Sequence, residues 1–195
     1  SPSPVVDEEL RNKMGAAALK IASLLKYESA GTVEFLFDET TKEFWFLEVN
    51  TRLQVEHPVT EEVTGIDLVR EQLKIANGEP LDFSQEDIEW FGSSIEVRLY
   101  SEDPGNNFLP VTGKLIAFEP TEDPLVRWDT GVETGSEITP NFDPMLAKII
   151  SYGETRVEAA NKLALALENS HFGGLKTNRD YLISILRSDE FLKGN

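Results

Sequence analysis

Apolar and polar residues alternate with a period of two from Glu43 to Glu56, which predicts one extended, half-buried strand. Trp45, Leu47, Val49, Leu53 and Val55 fall on one side of it. Phe44, Phe46, Glu48, Asn50, Arg52, Gln54 and Glu56 fall on the other. Upstream, Val33, Phe35 and Phe37 alternate with Glu34, and the turn-like Asp38–Lys42 joins the two runs as a β-hairpin. Placing both apolar sets on one core demands the pairs 33/49, 35/47 and 37/45, or that pattern slid by two, because a slip of one residue would invert every side chain. A stripe at helical spacing (Leu10, Met14, Ala17, Ala18, Ile21, Leu24, Leu25) behind the cap residue Asp7 predicts a core-packed helix. Pro58 and Thr60 end the strand pattern, and a second helix follows from Gly65 to Asn77 with Leu68, Val69, Leu73 and Ala76 inward.

Further strands are expected over Ser94–Tyr100, Gly113–Phe118, Leu125–Asp129 and the nearly all-apolar Met145–Ser151. Thr155 and Glu158 form a capping box that opens a helix through Leu167, and a last helix runs from Thr177 to Leu186. Clustered strands followed by helices give an α+β fold, a largely antiparallel sheet with flanking helices. The acidic, turn-rich Ser84–Glu89 segment marks a subdomain boundary.

The polar side of the long strand carries the candidate chemistry. In the expected register Glu34 faces Glu48, and two carboxylates about 5 Å apart repel by about 3 kcal/mol at an effective dielectric near 20. A shared proton, an arginine or a divalent cation would offset that repulsion. With Asn50 beside them, three hard oxygen donors suit Mg²⁺ or Mn²⁺ holding nucleotide phosphates. Two solvated glutamates on an outer sheet face are the alternative. Arg98, outward on its strand beside Glu96, reads by itself as a surface ion pair, and Arg52 beside Glu48 and Glu56 as a buried charge network.

Composition narrows the field. The net charge is −17, with 20 acids and 8 bases in residues 1–97, so nucleic acid and anionic membranes are poor partners. There is no cysteine, no run of membrane-spanning length and no signal peptide, which favours a reducing compartment: cytoplasm, or mitochondrial matrix for a eukaryotic source. Walker A, G-x-G-x-x-G, H-E-x-x-H and G-x-S-x-G motifs are missing, and the two histidines, His57 and His171, read as structural and exposed respectively.

Four blocks carry a family resemblance: Gly31–Phe37, Phe46–Glu61 (FLEVNTRLQVEHPVTE), Glu96–Pro104 and Phe108–Gly113. They resemble biotin carboxylase, the ATP-grasp component of biotin-dependent carboxylases, and Asp143–Lys148 and Gly174–Asn178 are similar to the C-terminal part of that family. The resemblance implies residues 1–84 as the C-terminal part of an ATP-grasp domain and 85–195 as the biotin carboxylase C-terminal domain. The family's N-terminal domain, glycine-rich lid and nucleotide-binding lysines have no counterpart, so the chain reads as a fragment, inactive by itself.

The resemblance also implies a reaction. ATP phosphorylates bicarbonate to carboxyphosphate, and CO₂ passes to N1′ of carrier-linked biotin. Glu34, Glu48 and Asn50 then resemble the metal ligands, with Glu34 and Glu48 at the ATP phosphates. Glu56 resembles the base that deprotonates bicarbonate, and Arg52, Gln54 and the Val55 backbone N–H its cradle. Arg52 also resembles the residue stabilising the biotin enolate, and Arg98 a biotin contact. Expected partners are a biotin carboxyl carrier domain, a carboxyltransferase component and a second copy as homodimer. Two other readings stand beside this one: a non-catalytic docking module for a carrier domain or partner subunit, and a different ATP-grasp ligase. The Arg52–Glu56 run argues against the latter.

Overall fold

The computed structural model describes residues 1–194 of the chain, which divide into two compact units: Pro2–Trp90, and Ser1 with the chain from Phe91 onward. The first unit contains α1 (Glu8–Leu25), the antiparallel hairpin β1 (Thr32–Asp38) and β2 (Glu43–Asn50), α2 (His57–Thr64) and α3 (Leu68–Ala76). Asp7 caps α1 through its Oδ1, which accepts from the Leu10 N–H at 2.9 Å.

Three expectations for this unit are corrected. Of the α1 stripe only Leu10 is buried, while Leu24 and Leu25 are exposed, so the helix is amphipathic without packing its whole apolar face within the unit. The extended strand ends at Asn50 rather than running to Glu56. Pro58 does not merely stop pairing; it sits in the first turn of α2, where its missing N–H leaves no helical bond unmade. On α3 the inward residues are Leu68, as expected, and Ile75, which line a cavity of about 340 Å³ with Phe83 and Ile88, whereas Val69, Leu73 and Ala76 are exposed.

The second unit continues with β3 (Ser93–Tyr100), the short β4 (Glu102–Asp103), β5 (Leu109–Pro110), β6 (Gly113–Lys114) and β7 (Ala117–Glu119). It is completed by β8 (Val126–Thr130), β9 (Glu137–Ile138), β10 (Met145–Gly153), α4 (Arg156–Glu168), β11 (His171–Gly173), α5 (Arg179–Leu186) and α6 (Asp189–Lys193). Its main sheet is antiparallel, ordered β3-β10-β8, with the pairs β4–β5, β6–β9 and β7–β11 around it. β10 is apolar along its length because it is the central strand: Leu146, Ala147, Ile149 and Ile150 are all buried. α4 lays an alanine-rich face (Ala159, Ala160, Leu163, Ala164) on β3 and β10, and small residues let helix and sheet approach closely. Its cap forms as expected at Thr155, whose Oγ1 accepts from the Glu158 N–H at 3.2 Å. Glu158 Oε2 returns the bond to Glu154 N–H, one residue before the ideal position. The chain is thus the expected α+β arrangement of antiparallel strands and flanking helices. No helix among the described residues is long and apolar enough to cross a membrane.

Candidate functional site

The hairpin turn is set by Asp38, whose Oδ1 accepts the Thr40 N–H at 2.7 Å, and the Lys42 N–H closes on the Asp38 carbonyl at 2.8 Å. The backbone donors of Thr40 and Thr41 hold the Asp38 carboxyl below the ordinary carboxylate range. From its open end the ladder pairs Thr32 with Asn50, Val33 with Val49 and Glu34 with Glu48. The two glutamates face each other, as in the first of the registers the apolar pattern allows.

Beyond them the register departs from expectation. Leu47 is an extra residue, a β-bulge, so Phe35 pairs with Phe46, Leu36 with Trp45 and Phe37 with Phe44, in place of 35/47 and 37/45. The bulge brings Phe44 and Phe46 round to the Phe35 side, where Phe35 and Phe44 meet edge to face at 5.2 Å. Trp45 and Leu47 are left half-exposed, at 50% each, instead of lying in the core. The aromatic edge contact and the added twist favour the bulge locally.

The carboxylate pair is bracketed by amides. Asn50 Nδ2 donates to Glu34 Oε1 at 2.7 Å and to Glu48 Oε1 at 3.2 Å, and Gln54 Nε2 donates to Glu34 Oε1 at 2.9 Å. Hydrogen bonds to an ionised carboxylate are roughly twice as strong as neutral ones, so these amides offset part of the Glu34–Glu48 repulsion. The Gln54 bond also folds the loop after Asn50 back onto β1, and His57 Nδ1 fixes the same residue from behind, 2.7 Å from the Gln54 carbonyl. His57 therefore acts structurally, as its place before Pro58 suggested. Gly31 lets the start of β1 pass under Tyr27: a Cβ there would meet the Tyr27 ring at 2.9 Å and the Asn50 carbonyl at 3.2 Å. That close approach was not visible in the sequence pattern.

Arg52, Gln54 and Glu56 leave this loop into one cleft of about 490 Å³, with Gly31, His57 and Thr60 among its other walls. Arg52 is exposed, with Nη1 donating to the Leu53 carbonyl at 3.4 Å, and Glu56 occupies the residue before α2 without capping it through its side chain. The half-buried Val55 lies between Gln54 and Glu56. Among the described residues no three acidic or histidine side chains gather as a metal cluster, and Asn50 faces the two carboxylates with its Nδ2, so a cation at the hairpin would gain a third oxygen donor from Asn50 only with that amide turned over. Arg98 belongs to the second unit, on β3 opposite Lys148 of β10. His171 is exposed on β11.

Comparison with known proteins gives this geometry a setting. Residues 96–195 match the biotin carboxylase C-terminal domain, and residues 1–84 match the ATP-binding domain of the carbamoyl-phosphate synthase L chain. Biotin carboxylase 2 of Bacillus subtilis is 49% identical over 195 residues, covering 100% of this chain and 44% of that protein. The mitochondrial propionyl-CoA carboxylase alpha chain of Homo sapiens is 47% identical over 197 residues, again covering 100% of this chain but 27% of that one. The chain thus spans less than half the length of either relative. The crystal structure of the biotin carboxylase domain dimer of Hydrogenobacter thermophilus 2-oxoglutarate carboxylase, in complex with MgADP, ADP and bicarbonate, superimposes with a TM-score of 0.96. Identity there is 39%, with 100% of this chain and 43% of that chain covered. By these matches, from the hairpin to the last helix, the chain belongs to the biotin carboxylase family.

Proposed function

We propose that these residues work within a longer biotin carboxylase, an ATP-dependent ligase that activates bicarbonate as carboxyphosphate and carboxylates biotin on a carrier domain. The observation that carries this reading is the hairpin end: Glu34 opposite Glu48, bracketed by Asn50 and Gln54, beside a cleft walled by Arg52, Gln54 and Glu56. In this reading residues 1–84 are the end of the ATP-grasp region and 85–195 the C-terminal domain of the carboxylase.

Glu34, Glu48 and the Asn50 amide oxygen would hold Mg²⁺ or Mn²⁺, with the Asn50 amide turned over from the orientation in which its Nδ2 donates to both carboxylates; the donor chemistry then fits: hard oxygens with two formal charges. The bound cation would neutralise phosphate charge at the ATP end, where Glu34 and Glu48 lie. Phosphoryl transfer asks little of the protein beyond position and electrostatics, so this chain's own part is to hold anions and a proton. Glu56 takes the proton of bicarbonate. Arg52, Gln54 and the Val55 backbone N–H cradle the anion, and the planar guanidinium of Arg52 suits both bicarbonate and a developing enolate oxygen. Arg98 contacts biotin. The carrier domain, a carboxyltransferase component and a second copy are the proposed partners, consistent with the multi-subunit relatives and the dimeric structure named above.

Glu48→Gln tests the metal assignment with two readouts that a merely solvated glutamate would not link. In a full-length enzyme carrying these residues, MgADP affinity by calorimetry is expected to fall by about tenfold or more. Without nucleotide or metal, removing one of two facing charges should leave stability unchanged or raise it by up to ~1 kcal/mol. Undiminished MgADP affinity would remove Glu48 from the metal site. The 195-residue chain by itself is expected to show no bicarbonate-dependent ATP cleavage, since it spans 44% of the Bacillus relative. Turnover by the purified chain would show that these residues suffice.

A further inference from the structure

The block Gly174–Asn178 is part of the family resemblance, yet none of its residues has a role in the reading above. Asn178 is 4% exposed, at the cap position preceding α5. A buried amide needs partners on both its oxygen and its nitrogen, and Asn178 finds them on β3, with a further side-chain hydrogen bond to Glu102 on β4. Its Oδ1 accepts the Tyr100 N–H at 2.9 Å, and its Nδ2 donates to the Arg98 carbonyl at 3.1 Å. The Asn178 backbone N–H donates to the Tyr100 carbonyl at 3.2 Å.

The location of those bonds matters. In the sheet ordered β3-β10-β8, β3 is an edge strand: β10 pairs with one side of it and, among the described residues, no strand with the other. Edge backbone groups that are buried without a strand partner must be satisfied some other way. One side-chain amide here stands in for a strand, joining the carbonyl of residue 98 to the N–H of residue 100. On its paired side Arg98 lies opposite Lys148. The β3 backbone around the Arg98 side chain is therefore held along both edges, by Asn178 at residues 98 and 100 on one and by the β10 ladder on the other.

We infer that Asn178 is a positioning residue for Arg98, acting through the β3 backbone and never touching substrate. The inference rests on the reading of Arg98 as a biotin contact. An arginine that must meet a neutral ureido group or its enolate by directional hydrogen bonds tolerates little drift, and misplacement by about 1 Å can lower a rate by as much as 100-fold. Loosening β3 would let the long side chain keep its charge and lose its aim.

The test is a double-mutant cycle in the full-length enzyme, read as carboxylation of free biotin. Arg98→Ala is expected to lower kcat/KM for biotin strongly. Asn178→Ala should lower it by about tenfold or more, with the KM for ATP unmoved, and should add nothing further in the Arg98→Ala background. Asn178→Ser, whose shorter hydroxyl keeps a polar group at the site without adding a charge beside Glu102, should fall between wild type and Asn178→Ala. It also serves as the informative variant if Asn178→Ala does not fold. Additive losses from Asn178→Ala and Arg98→Ala, or a normal kcat/KM for biotin in both Asn178 variants, would overturn the positioning role while leaving Arg98 in place. A normal kcat/KM in Arg98→Ala would instead overturn the reading beneath it, and the inference with it.

Discussion

Glu56→Gln in a full-length carboxylase carrying these residues is expected to abolish bicarbonate-dependent ATP cleavage while the protein stays folded. The substitution keeps the size and polarity of the side chain while removing its charge and its capacity to accept a proton. General-base catalysis contributes about 10²- to 10⁴-fold, so residual cleavage should lie at or below about one hundredth of wild type. Stability should hardly move. Glu56 is exposed and glutamine keeps its shape, so the change belongs with surface substitutions worth about 0.5 kcal/mol or less. The cleft that Glu56 shares with Arg52 and Gln54 should still bind the anion, so the loss should be in kcat far more than in KM for bicarbonate. Steady-state ATPase with and without bicarbonate, beside a thermal melt, decides the matter. Unchanged bicarbonate-dependent turnover would take Glu56 out of the base role.

The hairpin illustrates how far residue pattern reaches and where it stops. Alternation allowed Val33 opposite Val49 and Glu34 opposite Glu48, because burying one face of a two-stranded ribbon excludes every register slipped by an odd number of residues. The same logic failed two residues later. A bulge at Leu47 breaks the period without any glycine or proline to announce it, and what favours it, the edge contact of Phe35 with Phe44, is a tertiary fact. Past Asn50 the alternation persists in the letters but not in the backbone. Arg52, Gln54 and Glu56 are presented by a loop tied down by Gln54 on Glu34 and by His57 on the Gln54 carbonyl. Bonds across 20 residues of chain leave no local signature, so a side chain expected on a strand face proved to be a tether for the site. In the second unit the reverse holds. Ile95, Leu99 and the apolar run of β10 were legible because a central strand and its neighbour bury whatever they carry.

Leu163→Ala and Leu73→Ala, both leucines at helical spacing on apolar stripes, should separate widely in stability. Leu163 on α4 is 0% exposed, inside the cluster that includes Leu99, Ile149 and Leu167, whereas Leu73 on α3 is 68% exposed. Truncating a fully enclosed leucine removes its transfer energy and leaves a cavity that rigid neighbours only partly fill, about 2–5 kcal/mol together. The surroundings here are poorly able to collapse: α4 meets β3 and β10 through Ala159, Ala160 and Ala164, which have no flexible atoms to swing into the gap. The loss should therefore lie in the upper half of that range, a large share of the total for a unit of this size. Leu73→Ala removes surface already in water and should change stability by about 0.5 kcal/mol or less. Denaturant titrations of the two variants of this chain, compared at equal m-values, give both numbers. Equal destabilisation would mean that Leu73 is enclosed as the periodicity of α3 first suggested, and a mild Leu163→Ala would mean that α4 does not close the core of the second unit.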